Sequence, residues 1–387
     1  METDFRKTGF RFDGDELEFY CEPDGFSDLE DKESIFVSGT FNAWLNTADS
    51  SWKLKKKVLK NKVYFSLKKP ISSVMIPGNT GFPEFKFFAL SNTSCHLLTE
   101  NFDSSTTTFA TNKLIFQTKE DFDLIQEIIS RSDHKKSLSD FDLNCPACRS
   151  DISNVRIVPG TKCLFRGYNP FKRSKNEFDT ESTRIELAQK AYTVYDVNCD
   201  ITLNGFEGAS VASGEEMPDV IRKIDAAGNR LCLNIAYNLV YFHPDAVDYS
   251  VALRKIALFI IEREGPYFIH CRLGSDRTGV TCAIFAALCG ASWKEIAHDY
   301  ERTTNMGIEE YRNRKLLQYS LGRMLRSNPA DLKDLAHTMQ SYFIQENILT
   351  MDEIRRLIER LQMDVKIDET NFFDFHENHI CAKKSAR

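Results

Sequence analysis

The pattern of apolar and polar positions changes once along the chain, from short β-type runs to strands that alternate with helices. Over residues 35–116, short aromatic or β-branched runs are separated by clusters of Asn, Gly, Pro and Ser. This spacing is typical of a small all-β, immunoglobulin-like sandwich. From Thr193 onward, strand candidates such as TVYDV, LCLNIAY and YFI alternate with helical patterns. Strands that alternate with helices form a parallel sheet flanked by helices, so the second part predicts an α/β domain.

These patterns divide the chain into four predicted segments. We expect a β-sandwich in residues 1–118, an irregular linker in residues 119–154, the α/β domain in residues 155–370 and an unassigned tail in residues 371–387. The linker assignment rests on its polar composition, although DFDLIQEIISR within it has a helical pattern. A chain of 387 residues is too long for one ordinary core, which agrees with two folded domains.

Composition narrows the class of protein. The hydrophobic fraction of 42% and the charged fraction of 27% are those of a globular protein in water. No apolar run reaches the roughly 18–20 residues that span a bilayer, and the first residues lack the apolar segment of a signal peptide. Eleven cysteines without a regular spacing favour free thiols in a reducing compartment, so we expect a cytoplasmic protein. The net charge of −6 gives no general attraction to nucleic acid.

The pair Cys145-x-x-Cys148 raises the question of zinc or redox chemistry. A structural zinc site needs four ligands, and this pair supplies two. Cys163 and Cys199 are the candidates that would complete such a site. A single CxxC is a weak signal, so we expect no bound metal.

Residues 267–280, YFIHCRLGSDRTGV, place a cysteine directly after an apolar strand candidate. Cys271 is either a structural cysteine between a strand and a helix, or a nucleophile followed by a phosphate-binding loop. Ligands of α/β sheets bind beyond the carboxyl ends of the strands, which is where Cys271 stands. Successive backbone N–H groups and a helix N-terminus form a positive concavity of phosphate size. The same field favours a thiolate over a thiol and therefore a nucleophilic cysteine.

The other loop residues fit phosphate chemistry. The planar guanidinium of Arg277 can hold two phosphate oxygens and the charge that develops on them. The Thr278 hydroxyl can donate to the sulfur when it leaves, and Gly274 permits a backbone turn that a β-carbon would obstruct. Because the loop supplies the positive charge itself, we expect no cofactor.

This loop, His-Cys-x5-Arg-Thr-Gly, resembles the signature of the cysteine-dependent tyrosine and dual-specificity phosphatases. The form HCRLGSDRTG is similar to the bacterial and fungal tyrosine and phosphoinositide phosphatase branch. Similar members carry an "fRS" segment near the domain start, matched imperfectly by LFRGY at 164–168, and a segment like GASWKEIAHDYERT at 290–303. The resemblance covers about residues 155–363.

The resemblance implies roles for the loop residues. Cys271 would attack phosphorus to give a phosphocysteine that water hydrolyses, and Arg277 would bind the phosphoryl group. His270 would support the loop from behind. The remaining phosphate-binding positions would be Arg272, Leu273, Gly274 and Ser275.

A general acid is needed to protonate the leaving oxygen. Asp276 lies in the loop, and in this branch of the family the matching aspartate is a proposed acid. Asp245 lies about where other phosphatases carry a mobile acid loop, but it also fits a first-turn carboxylate favoured by a helix dipole. Asp248 is a weaker candidate. We rank Asp276 first.

The N-terminal stretch VSGTFNAW at 37–44 resembles the glycogen-binding domain of the AMP-activated kinase β subunit. By that resemblance Trp44 would stack on a sugar ring, Lys86 would lie beside the glucan, and Asn112 would make a late polar contact. The second sugar-stacking Trp of that family is missing, because SNTSCHLLTE stands in its place. The alternative is a β-domain used for packing or protein contacts, with Trp44 partly in its core.

The leading functional hypothesis is a phosphatase that acts through a phosphocysteine. Protein phosphotyrosine is the first substrate class, a phosphorylated glycogen-like or starch-like glucan the second, and a phosphoinositide headgroup the third. Arg272 adds positive charge to the loop, while Ser275 replaces a lysine common in this branch. The alternative from another class is an inactive module that binds phosphate without turning it over.

Overall fold

The computed structural model describes most of the chain. The described residues are 5–26, 34–45, 48–59, 61–91, 95–98, 108–109, 111–132, 136–205, 217–364 and 372–373. Their contacts separate two units, residues 1–134 and residues 135–387. Within the described residues, no helix is both long enough and apolar enough to cross a bilayer.

The first unit is built mainly from antiparallel β-strands. Its elements are α1 Phe5–Thr8, β1 Phe10–Asp13, β2 Glu16–Cys21, β3 Ser34–Gly39, β4 Lys55–Leu59, β5 Lys62–Pro70, β6 Glu84–Leu90, β7 Cys95–Leu97, β8 Thr108–Phe109, β9 Asn112–Leu114 and α2 Lys119–Ser132. One sheet has the strand order β1-β2-β5-β4 and the other β3-β6-β9-β8, with β7 beside β6. The β-rich character agrees with the sequence pattern, but β1 and β2 precede the stretch in which that pattern predicts strands.

Phenylalanine rings join the two sheets of this unit. The Phe85 ring of β6 lies 5.2 Å from the Phe19 ring of β2 and 6.1 Å from the Phe10 ring of β1. Phe10, Phe19 and Phe85 are all buried. Edge-to-face ring contacts of this kind stabilise a core beyond the burial of apolar area alone. The immunoglobulin-like topology of the unit stays a prediction.

The second unit contains a five-stranded sheet with helices around it. Its strands are β10 Arg156–Ile157, β11 Leu164–Gly167, β12 Cys199–Thr202, β13 Arg230–Cys232 and β14 Tyr267–His270. Its helices are α3 Pro146–Ser153, α4 Glu181–Val194, α5 Asp219–Ala226, α6 Tyr237–Phe242, α7 Val247–Glu262, α8 Arg277–Leu288, α9 Trp293–Arg302, α10 Arg314–Leu325, α11 Leu335–Gln345 and α12 Met351–Leu361. The strand order is β10-β11-β14-β12-β13, and every pair is parallel except β10 with β11. The predicted buried strand YFI is confirmed as β14, at the centre of this sheet.

The predicted strand TVYDV at 193–197 is wrong. Helix α4 continues to Val194, and the strand begins at Cys199, as β12. The sequence hides this strand because Asp200 interrupts its apolar run. Asp200 is nevertheless fully buried, because Arg230 and His270 lie at 3.0 and 3.3 Å from its carboxylate. A paired carboxylate is tolerated inside a sheet where an unpaired one is not.

Residues 119–154, expected to form an irregular linker, carry two helices that fall in different units. Helix α2 lies in the first unit and α3 in the second. Pro146 is at the start of α3, where its missing N–H costs no hydrogen bond. Ala147 and Ile152 of α3 are buried, so this polar stretch contributes to the second core.

The cysteines named as possible zinc ligands have different surroundings. In the described part of the chain, no group of three or more His, Cys, Asp or Glu residues is placed to hold a metal ion. The Cys163 thiol contacts the Arg360 carbonyl at 3.2 Å, and the Cys199 thiol contacts the Glu264 carbonyl at 3.3 Å. Cys148 is disulfide-bonded, so the expectation of free thiols is wrong at this position. An irregular cysteine spacing argues against a disulfide framework, but it cannot exclude a single bond.

Candidate active site

The candidate site is the loop that joins the central strand to the most buried helix of the second unit. Strand β14 ends at His270, Cys271 opens the loop, and α8 begins at Arg277. Cys271 is 3% exposed. The loop therefore lies at the carboxyl end of the central parallel strand, where the sequence predicts it and where α/β sheets bind their ligands.

The carbonyl groups at the start of the loop are held by side chains behind it. The Cys271 carbonyl accepts from Asn169 Nδ2 at 3.4 Å and from His270 Nδ1 at 3.2 Å. The Arg272 carbonyl accepts from the Asn169 backbone N–H, also at 3.4 Å. Asn169 is fully buried and lies just beyond β11, the strand that pairs with β14. One asparagine thus fixes two successive peptide groups.

The next two carbonyl groups are held in the same way. Asn154 Nδ2 donates to the Leu273 carbonyl at 3.1 Å, and the Arg166 guanidinium donates to the Gly274 carbonyl at 2.6 Å. Within a trans peptide group the N–H points away from the C=O. When four successive carbonyl groups face residues 154–169, the N–H groups that follow them face the opposite side.

Those N–H groups have no acceptor in the described part of the protein. No backbone N–H of residues 271–276 donates to a carbonyl or side chain there. Successive amides that point into one concavity, next to a helix N-terminus, bind an anion. The donors of the loop therefore match a phosphoryl group in charge and direction.

A buried charge cluster holds Arg166 in place. Asp299 accepts from Arg166 at 2.6 Å and from Arg156 at 2.5 Å. Burial alone would raise the pKa of the Asp299 carboxyl, but the two guanidinium groups outweigh it and lower that pKa. Burial would likewise lower the pKa of Arg166, whereas Asp299 and, more weakly, Cys282 and Cys271 raise it. Arg166 thus carries a permanent positive charge directly behind the loop.

Gly274 has the backbone conformation that the sequence predicts for it. Its φ is +73°, in the left-handed region that glycine adopts without strain. A β-carbon at this position would lie 2.2 Å from the Gly167 carbonyl oxygen. The close approach of the loop to β11 therefore requires glycine here.

Two hydroxyl groups in the loop region are buried without a partner. Ser275 Oγ and Thr278 Oγ1 have no hydrogen bond to any of the described residues, and both side chains are fully buried. An unpaired buried hydroxyl costs roughly 1–3 kcal/mol. Both are therefore available to a bound ligand or to the Cys271 sulfur, which fits the role predicted for Thr278.

The two arginines of the loop differ in their surroundings. Arg277 is half-buried and donates weakly to the Ile235 carbonyl at 3.4 Å. Arg272 is exposed and donates to the Ser174 carbonyl at 3.0 Å. Arg277 is thus held loosely at the first turn of α8, while Arg272 ties the loop to a neighbouring segment at the protein surface.

His270 connects the loop to the sheet. Its Nε2 atom lies 3.0 Å from the Thr202 hydroxyl and 3.3 Å from the Asp200 carboxylate. Burial alone would raise the pKa of Asp200, but His270 and Arg230 hold it at about 2. His270 thus transmits the position of β12 to the Cys271 carbonyl.

The two leading general-acid candidates occupy different environments. The Asp276 carboxylate accepts from Tyr241 at 2.6 Å and from Arg312 Nε at 2.6 Å. Asp245 is exposed and lies 3.6 Å from Arg323. Among the described residues, no hydrogen bond or ion pair joins Asp245 to the loop. Asp248 is also exposed, in the first turn of α7.

The geometry of the loop agrees with a comparison at the level of sequence families. Residues 173–362 match the model of a tyrosine phosphatase family. The match supports a phosphatase domain in this part of the chain, and it includes the loop from Cys271 to Arg277. No curated protein matches the chain. The side chains of Asn154, Arg166 and Asn169 precede the matched residues.

The sequence pattern does not reveal two of the side chains that hold the loop carbonyls. Asn154 and Asn169 look like ordinary loop residues in the sequence. Arg166 is the exception, because a charged residue inside the apolar strand LFRG signals a buried partner. That partner is Asp299, within the GASWKEIAHDYERT stretch that carries part of the resemblance.

In the first unit, the structure brings together two of the three predicted sugar-binding residues. The Lys86 ammonium lies 5.1 Å from the centre of the Trp44 ring, and both side chains are half-buried. Asn112 begins β9, beside β6, and donates to the Glu84 carboxylate at 2.9 Å. Trp44 and Lys86 thus form a small surface, whereas the Asn112 amide is engaged with a buried carboxylate.

Proposed function

We propose that this chain is a cysteine-dependent phosphatase that hydrolyses phosphate monoesters through a phosphocysteine, with protein phosphotyrosine as its main substrate. The observation that carries the proposal is the loop itself. Its carbonyl groups are bound from behind, its N–H groups have no acceptor among the described residues, Cys271 lies at its start and Arg277 at its end. This arrangement supplies a nucleophile and positive partial charges to the same phosphoryl group.

The reaction has two steps. In the first, the Cys271 thiolate attacks phosphorus, an S–P bond forms, and the bond from phosphorus to the leaving oxygen breaks as that oxygen takes a proton from a general acid or from water. In the second, water attacks phosphorus and gives up a proton to solvent, the S–P bond breaks, the thiolate is restored and inorganic phosphate leaves. The unpaired Thr278 hydroxyl can donate to the departing sulfur, and Arg277 with the loop N–H groups stabilises the charge on the equatorial oxygens in both steps.

Phosphate release by the wild type and by Cys271→Ser tests this proposal. We expect release from a phosphotyrosyl peptide by the wild type and none above background by Cys271→Ser, because a hydroxyl at this position is a far weaker nucleophile. Cys289→Ser, at the buried end of α8, is the matched control and should keep its activity. Equal activity of Cys271→Ser and the wild type would refute the phosphocysteine. Binding without turnover by the wild type would favour an inactive phosphate-binding module.

A second candidate function is dephosphorylation of a glycogen-like or starch-like glucan. The Trp44–Lys86 pair favours it, because an aromatic face beside a cation can stack on a sugar ring and meet a phosphate. Parallel assays on phosphorylated amylopectin would test this candidate. Activity abolished by Trp44→Ala but kept by Trp52→Ala would support it, because the Trp52 ring is already stacked on Phe41 at 4.8 Å. A phosphoinositide, met by the exposed Arg272, would be the third substrate to assay.

A further inference from the structure

The Asp276 carboxylate has no free oxygen. Its Oδ1 atom accepts from Tyr241 at 2.6 Å and from Arg312 Nε at 2.6 Å, and its Oδ2 atom accepts from the second Arg312 nitrogen at 3.0 Å. The donors come from α6 and from the segment before α10, which do not belong to the loop. The pairing with Arg312 is therefore bidentate, the strongest geometry that a carboxylate and a guanidinium form.

The partners of Asp276 are themselves fixed. Arg312 is 5% exposed, and its other bonds go to Glu310 at 2.9 Å and to the Tyr311 carbonyl at 2.7 Å. Tyr241 is fully buried, and its hydroxyl lies 2.5 Å from the Tyr300 hydroxyl. Because Tyr241 donates to Asp276, it accepts from Tyr300. Rotation of the carboxylate toward a substrate would break three hydrogen bonds and take from the buried Arg312 guanidinium its bidentate partner.

The charges around Asp276 favour its ionised form. Burial alone would raise the pKa of the Asp276 carboxyl, but Arg312, Tyr241 and Arg277 outweigh it and lower that pKa. A general acid works best with a pKa near the operating pH. Burial and the negative charge of Asp276 also raise the pKa of Tyr241, so its proton stays on the phenol.

We propose that Asp276 does not protonate the leaving group, and that Asp276, Arg312 and Tyr241 form an anchor that fixes the end of the phosphate-binding loop. Arg312 is then a positioning residue for Arg277 and the first turn of α8. The inference rests on the proposed function, and it refines the substrate class. A loop without its own acid turns over esters of phenols, such as tyrosine with a pKa of about 10, in preference to esters of the less acidic sugar hydroxyls.

A series of esters with graded leaving groups tests the anchor. The rate constant kcat/KM would be measured for aryl phosphates of increasing phenol pKa and for one alkyl phosphate, with the wild type and Asp276→Asn. We expect Asp276→Asn to lose about the same factor, of the order of tenfold, on every ester, because the variant loosens the loop for all of them. A loss that grows with the leaving-group pKa, toward the roughly 10²–10⁴-fold typical of a missing general acid, would overturn the proposal. Asp352→Asn, in an exposed pair with Arg355, is the matched control and should change nothing.

If Asp276→Asn does not fold, the double variant Asp276→Asn/Arg312→Gln can be assayed on the same esters instead. It removes both charges of the pair and therefore leaves no buried charge unpaired. It should show the same uniform loss across the series. Denaturation of the two single variants and the double variant provides a readout that needs no turnover. We expect the double variant to lose less free energy of unfolding than the two single variants lose together. Strictly additive losses would refute the ion pair. If the wild type hydrolyses none of the esters, the proposed function fails, and the denaturation cycle still decides whether the anchor exists.

Discussion

Replacement of Arg166 by methionine should separate the loop from its support without touching the nucleophile. The Arg166 guanidinium is fully buried and makes two contacts of 2.6 Å, one to the Gly274 carbonyl and one to Asp299. Methionine has a similar length and no donor, so Arg166→Met removes both contacts and leaves little empty volume. The peptide group between Gly274 and Ser275 then loses the bond that turns its N–H toward the proposed phosphate site.

The expected losses of stability and of rate in Arg166→Met follow from the contacts of Arg166. Removal of one partner from a buried ion pair costs about 3–5 kcal/mol, and the lower end applies here because Asp299 keeps Arg156 at 2.5 Å. A domain with an ordinary stability of about 5–15 kcal/mol remains folded after such a loss. A displacement of about 1 Å at a site of chemistry costs up to about 10²-fold in rate. We therefore expect Arg166→Met to lower kcat/KM on an aryl phosphate by about 10²-fold while the protein stays folded.

The assay compares kcat/KM, thermal unfolding and binding of a phosphate analogue such as tungstate in the wild type and two variants. Arg254→Met is the matched control, because Arg254 also binds a carbonyl, that of Ile348 at 2.6 Å, and a carboxylate, that of Glu353 at 3.1 Å. It lies on α7, and within the described part of the chain no hydrogen bond or ion pair joins it to the loop. We expect it to lower stability only. If Arg166→Met loses no more activity and no more tungstate binding than Arg254→Met, the loop does not depend on its carbonyl donors.

Three further variants test other parts of the structure. Gly274→Ala should abolish phosphate release and tungstate binding, because its β-carbon would lie 2.2 Å from the Gly167 carbonyl; retention of either would show that the loop can shift. The folded-state pKa of Asp200 is about 2, below its ordinary 3.8. The ionised carboxylate therefore adds about 2 kcal/mol to the free energy of unfolding; this stabilisation is present above about pH 4 and is lost as the pH falls to about 2. The free energy of unfolding should therefore change less between pH 6 and pH 3 for Asp200→Asn than for the wild type. An equal change in both proteins would contradict the lowered pKa of Asp200. Phe373→Ala should lower the free energy of unfolding by about 3 kcal/mol, because Phe373 is 1% exposed and its ring lies 5.8 Å from that of Tyr195. An unchanged midpoint of urea unfolding would mean that this contact contributes nothing to stability.

The sequence predicts the parts of the site that depend on neighbours along the chain. The central strand, the position of Cys271, the start of α8 near Arg277 and the need for glycine at 274 are local features, and the structure agrees with each of them. A strand, a turn and a helix start leave their signals within about ten residues. They can therefore be recognised from residue types and spacing alone.

The supports of the loop depend on pairing between distant segments. Arg166 reaches Gly274 across 108 positions, and this contact exists only because β11 pairs with β14 in one register. Asp276 meets Arg312 across 36 positions, and no local pattern distinguishes an ion-paired aspartate from a free one. Residue type and position favour Asp276 as the first acid candidate, but neither of them reveals its pairing with Arg312.

The strand β12 illustrates a second limit. A period of apolar residues is the main signal for a buried strand, and Asp200 breaks that period at a fully buried position. Its burial is possible because Arg230 and His270 complete its charge and hydrogen bonds. Such compensation arises from tertiary structure, so the sequence instead favours a strand at 193–197, where the chain forms the end of a helix and a turn.

The side chains behind the loop define how much of the chain a fragment with an intact loop must contain. The recognisable signature begins at His270, and the matched family region begins at residue 173. Asn154, Arg166 and Asn169 lie upstream of both. A recombinant fragment cut at residue 173 would retain Cys271 and Arg277, yet it would lack the side chains that orient the backbone between them. The part of the chain that shapes the loop thus begins before the part that the family match covers.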